Sequence, residues 1–164
     1  MAAKMNIFDG TQQLFTWQPT IRGRARSVSA KSGEGISWKE EGIENWQATG
    51  ATLRMPFFLA LKAEALHLAE RTSKALEAIG EAEKMAERSE ERWWCAELRR
   101  LRGVFLAALD AEESQIEGSF CEAIGIAKKQ KSVSLGKRAE ATCAEYHRQK
   151  ASAPGVRGVR LSLW

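Results

Sequence analysis

The chain is short of cysteine, proline and histidine, and each scarcity removes a class of protein. Its three cysteines, Cys95, Cys121 and Cys143, form an odd set with no Cys-x-x-Cys pair. That spacing supplies neither a disulfide framework nor a zinc site. It suits reduced, buried thiols on helices of a cytoplasmic protein. The three prolines, Pro19, Pro56 and Pro154, stand outside helix interiors. The two histidines, His67 and His147, have no second residue at metal or triad spacing and read as surface or groove side chains. No apolar run approaches the roughly 18–20 residues that span a bilayer. Met1 to Asp9 has no apolar core of signal-peptide length. The glycine-rich pieces Gly33-Glu34-Gly35 and Gly155-Val156-Arg157-Gly158 lack the lysine and the strand context of a phosphate loop. The expectation is a protein with no catalytic residues, no cofactor, no metal and no membrane segment.

What the sequence does hold is helix. Of 164 residues, 44% are hydrophobic and 28% charged, enough for one domain with an ordinary core. Ala, Glu, Lys, Leu and Arg crowd the middle, and all five favour helices. The net charge of +4 gathers at the ends, in Arg22, Arg24 and Arg26 and in Arg157 and Arg160. Basic ends can bind nucleic acid. A solvated terminus is the reading preferred here, with nucleic-acid binding kept as an alternative.

Three regions follow. Residues 1–35 read as a poorly structured N-terminal segment, in which Leu14 to Trp17 could dock as a short helix. Residues 36–150 read as a helical domain. Residues 151–164 read as an irregular tail after Ala153-Pro154-Gly155. Within the domain, Ile36–Ala48 forms a short amphipathic helix ended at Gly50. Arg54–His67 comes next, with Pro56 in its first turn. Thr72 or Ser73 opens a helix to about Glu87. Ser89 is the expected N-cap of a helix from Glu90 to Leu109, with Glu90 and Glu91 in its first turn. Gln115–Lys129 is its partner, and Ser132 opens a last helix to about Gln149, with Val133, Leu135, Ala139, Cys143 and Tyr146 as apolar members. The Glu77, Glu81, Glu83 and Glu87 face, with Lys74, Lys84 and Arg88 interleaved, reads as a solvated surface with intrahelical ion pairs. Trp93 and Trp94 read as one core and one half-exposed ring at a joint between units.

Leu59–Lys129 carries one unit written twice. Ala63 and Gly103 are small residues 40 positions apart, and Ala82 and Ala123 are 41 apart. Landmarks on both helices of the unit recur at nearly one period, which marks stacked repeats. The pattern is similar to tetratricopeptide repeats. The small residue of that family's first helix matches Ala63 and Gly103. Its early alanine on the second helix matches Ala75, while Ile116 departs from it. The aromatic four residues later matches Phe120, with Ile79 as substitute, and the second alanine matches Ala82 and Ala123. Leu66 and Leu106 stand where the family has tyrosine. The period exceeds the usual unit of about 34 residues.

A narrower resemblance lies in Trp46–Ala51, Pro56–Leu61 and Glu91–Leu98. Glu41 to Lys131 resembles the C-terminal repeat array of large bacterial regulators that join a class III adenylate/guanylate cyclase domain to an ATPase domain. Neither of those domains is found in this chain. The resemblance implies an all-α, tetratricopeptide-like solenoid of antiparallel helix pairs that is an interaction or regulatory module, or an accessory part of such a signalling system.

In that register the first helices of the pairs line a concave groove. Phe57, Ala60, Glu64, His67 and Leu68 would face it from one unit, and Glu97, Arg100, Val104, Ala107 and Ala108 from the next. An apolar floor with a charged rim suits a peptide or helix. The expected partner is a protein or peptide, and ragged ends of the stack allow self-association.

Overall fold

Every regular element among the described residues is an α-helix. The computed structural model describes residues 41–45, 48, 54–152 and 158–163. The expected segment 1–35 and most of the helix expected over Ile36–Ala48 lie outside them. Within that helix, residues 41–45 are helical, and Ile43 is buried in the core. Five longer helices follow: α1 Met55–Leu68, α2 Thr72–Ser89, α3 Cys95–Ala108, α4 Glu113–Lys129 and α5 Val133–Ser152. No helix among the described residues is long and apolar enough to cross a membrane.

The 40-residue period is visible in the helix ends. α1 and α3 are both 14 residues long, and they start and finish 40 positions apart. Each closes with the same turn. Arg71 N–H donates to the Leu66 carbonyl at 2.9 Å, and Ala111 N–H to the Leu106 carbonyl at 3.1 Å. These are the six-to-one bonds that satisfy the orphan carbonyls at a helix end. The left-handed residue inside each turn is Glu70 (φ 60°) or Asp110 (φ 56°), neither a glycine. α2 and α4 end likewise with Glu90 (φ 56°) and Lys131 (φ 55°) in the left-handed region.

Two boundaries differ from the sequence expectation, for one physical reason. α3 starts at Cys95, five residues later than expected, and Ser89 is the last residue of α2, its hydroxyl donating to the Met85 carbonyl at 2.9 Å. Glu91 is not in the first turn of α3. Its carboxylate takes the Arg54 backbone N–H on both oxygens, each at 2.9 Å, at the start of α1. Negative charge there complements the α1 dipole. Trp93 and Trp94 then gather round Phe57, with ring centroids 5.8 and 5.2 Å away. Trp93 is 46% exposed and Trp94 half-buried, so neither ring is the core residue expected of the pair. The chain is thus committed to the α1 joint before α3 can begin.

α1 packs on α2, α3 on α4, α2 on α3 and α4 on α5, while α3 also touches α1 and α5. α3 is therefore the central rod, and Leu98, Leu101, Val104 and Phe105 along it are fully buried. Each such side chain contributes about 1.5–3 kcal/mol by leaving water. Gly103 sits on the side facing α4. A Cβ built on it would stand 2.6 Å from the Phe120 ring, so only glycine admits that ring at this depth. α5 runs to Ser152, beyond the expected Gln149, and Val133 at its start is exposed rather than packed. Glu83 corrects a further expectation. Its carboxylate leaves the solvated face of α2 and pairs across the interface with Arg99 and Arg102 of α3, each at 3.3 Å. Burial raises its pKa despite those two cations, with Glu122 and Glu87 adding to the rise.

Candidate functional site

The residues expected to line a groove are not open surface. Ala60, Glu64, Glu97, Arg100, Val104 and Ala107 are all buried. Phe57, His67, Leu68 and Ala108 are half-buried. Residues 158–163 lie over the α3 side of this face, at Arg100 and Ala108. Residues 158–163 form no helix or strand, but Leu161 and Leu163 are buried rather than solvated.

Residues 158–163 run antiparallel to α3. Gly158 lies at the far end, where a Cβ would meet the Ala108 carbonyl oxygen at 3.4 Å; its φ of +73° favours glycine. Leu163 lies near the start of α3, where its carbonyl accepts a bond from Arg100 Nη2 at 3.0 Å. Between them the side chains alternate. Val159 packs against the core, and Leu161 and Leu163 are only 6% and 4% exposed. Arg160 and Ser162 point outward. A period of two is that of an extended strand laid on a surface. Gln149 of α5 donates to the Arg160 carbonyl at 3.1 Å, and the Arg160 guanidinium reaches Glu70 at 3.8 Å.

A buried ionic knot holds the Leu163 end, near the start of α3. Arg100 grips Glu97 on two atoms, Nε to Oε2 at 3.0 Å and Nη2 to Oε1 at 2.8 Å. Its Nη1 donates to Thr142 Oγ1 of α5 at 3.2 Å. Arg138 of α5 adds a second cation on Glu97 Oε1 at 3.0 Å. Arg100 and Glu97 are each 1% exposed. A pair this deep persists only when its remaining donors are satisfied, and the tail carbonyl and Thr142 satisfy them. At the other end His67 Nδ1 lies 3.0 Å from Thr72 Oγ1, and its ring stacks near Phe105, centroids 5.0 Å apart. Burial pushes the imidazole below its ordinary pKa, and the Arg160 charge adds to the shift.

Two other features stand apart from this face. A cleft of about 540 Å³ opens between the ends of α2 and α4 and the start of α3, lined by Glu83, Glu87, Arg92, Arg99 and Lys129 among others. On the α4–α5 seam, Glu117 meets His147 at 3.7 Å and Lys128 meets Glu140 at 3.8 Å. That antiparallel register sets Cys121 beside Cys143, whose thiol is raised by burial and then by Cys121 and Glu117. Among the described residues no three His, Cys, Asp or Glu side chains converge as a metal site.

Sequence reasoning missed the tail, Thr142 and Arg138. The tail did carry a signal: Val159, Leu161 and Leu163 alternate with polar residues, the period of a half-buried strand. The contacts of Thr142 and Arg138 depend on how α5 packs, and no local pattern announces them.

No known protein family matches the chain, and no solved structure does. It is 28% identical over 143 residues to a protein of Rhizobium meliloti (strain 1021) that is described only as uncharacterized. The aligned stretch covers 87% of this chain and 13% of that relative. The chain thus spans about an eighth of the length of the curated relative it matches.

Proposed function

We propose that this chain is a non-catalytic protein-interaction module, a tetratricopeptide-like helical array whose α1–α3 face receives a segment of a partner protein. The observation that carries this role is the seating of residues 158–163, an extended segment held by alternating apolar side chains and a backbone carbonyl. A face that holds one such segment in cis has the chemistry to hold another in trans. The repeated helix pairs and their repeated terminal turns support the array. A place beside a nucleotide cyclase or ATPase in a signalling system rests on the sequence resemblance alone.

The test is selection of random displayed peptides on the intact chain, followed by an NMR titration. Selected peptides should move the signals of Phe57, His67 and Leu68, the half-buried rim of the face. No enrichment over a blank support, or shifts confined to other surfaces, would refute the role. Binding of RNA or DNA that weakens steeply with salt would transfer it to nucleic acid.

A further inference from the structure

We infer that the α1–α3 face recognises a partner segment in extended form with apolar residues at three alternate positions, and that residues 158–163 are its built-in competitor. The inference rests on the interaction role above and adds the partner's chemistry. Three observations define that chemistry. Val159, Leu161 and Leu163 turn inward while Arg160 and Ser162 face out, so side chains two apart are read. The carbonyl of the last inward residue, Leu163, accepts from Arg100, which fixes register by a main-chain bond that any residue can offer. Gly158 enters with a φ of +73°, so the segment begins at a position that favours glycine.

The same contacts mark the tail as displaceable. It adds no regular secondary structure to the fold, and its outward anchors are an exposed bond from Gln149 and a surface pair between Arg160 and Glu70. Surface pairs of that kind hold weakly. A partner segment that repeats the inward side chains and the carbonyl reproduces the buried contacts and leaves the helices in place. The tail then sets a threshold: an occupant present in all but about one molecule in ten lowers apparent affinity about tenfold.

The experiment uses the intact chain and two blocked, labelled peptides read by fluorescence anisotropy. One has the sequence of residues 157–163. The other has the same composition with its apolar residues moved to adjacent positions. The first should bind saturably and the second should not. Arg160→Glu, which sets the tail against Glu70 without touching the core, should tighten the first by about two- to fivefold, the range of a surface pair. Leu163→Ser should tighten it by about tenfold, with circular dichroism confirming that the helices persist. Equal binding of both peptides would overturn the alternation rule and leave the interaction role standing. Unchanged affinity in Arg160→Glu and Leu163→Ser would overturn the tail's part as competitor. Binding of neither peptide to the intact or the loosened chain would remove the interaction role itself.

Discussion

The two repeated units have the same skeleton and opposite chemistry on the same face. Position by position at a spacing of 40, Phe57 of α1 corresponds to Glu97 of α3, Ala60 to Arg100, Glu64 to Val104 and His67 to Ala107. Helix lengths and terminal turns are kept, while the polar groups have moved. The first unit carries its charge and its imidazole toward the helix end; the second carries its ion pair near the start. The packing sites trade volume in the same way. Ala63 and Ile79 of the first unit become Gly103 and Phe120 of the second, all four fully buried. The backbone period is therefore fixed by turns and small residues, and the face is free to vary over it.

The largest effect should come from breaking the polar half of the comparison. Arg100→Met leaves Glu97 buried with only the half-exposed Arg138, and it strips Thr142 and Leu163 of their donor. Breaking one side of a buried pair costs about 3–5 kcal/mol. Urea unfolding should show a loss of that order. Giving the second unit the residues of the first, Glu97→Phe with Arg100→Ala, should cost less than Arg100→Met alone, because no uncompensated charge remains. A double variant as unstable as the single one would mean that the knot matters for its hydrogen bonds to α5 and the tail.

The volume trade comes next. Gly103→Leu should overpack the α3–α4 contact, costing about 1–3 kcal/mol. An unchanged melting temperature would refute the close approach of Phe120. Gly103→Ala combined with Phe120→Ile rebuilds the first unit's pair. A double-mutant cycle should find the two changes coupled, with the pair milder than the sum.

Legibility followed the range of the forces involved. Helices, their period and the small residue at Gly103 were readable because each rests on neighbours three or four positions away. The start of α3 was misjudged because Glu91 serves α1 across 37 residues rather than its own helix. Glu83 looked solvated on a face rich in charge, yet its partners Arg99 and Arg102 lie on another helix. The choice of groove residues follows from spacing on α1 and α3, which is local. Burial on the α3 side was not readable, since it depends on where a distant tail settles.

A smaller effect separates the units by pH. His67 has no titratable counterpart in α3, where Ala107 occupies its place. Burial, and secondarily Arg160, hold its folded pKa below the ordinary 6.5. The unfolded chain therefore takes up the proton first as pH falls. The stability from neutral His67 is complete above about pH 6.5 and is lost below it, toward the folded pKa. Thermal midpoints at about pH 7.5 and about pH 5.5 should drop less for His67→Gln than for the parent chain. Charging His67 also sets it against Arg160, so the tail's amide protons should be less protected, relative to their intrinsic exchange rates, at the lower pH. Equal slopes for both chains would place the pH response elsewhere.

The smallest expected effect tests the turns that keep the period. Four of the five helices end on left-handed residues with side chains, Glu70, Glu90, Asp110 and Lys131. Left-handed backbone costs a typical L-residue about 1–2 kcal/mol, and aspartate less, because its short side chain can bond locally. Glycine removes that cost. Glu90→Gly should therefore stabilise the chain by about 1 kcal/mol, a rise of about 2–4 °C in melting temperature at this size. Asp110→Gly should gain less. The order matters more than the size. If Asp110→Gly gains as much as Glu90→Gly, side chains at these turns are passive. If Asp110→Gly loses stability, the Asp110 side chain helps to close the turn between α3 and α4, and the second unit's terminal turn is then held by more than backbone.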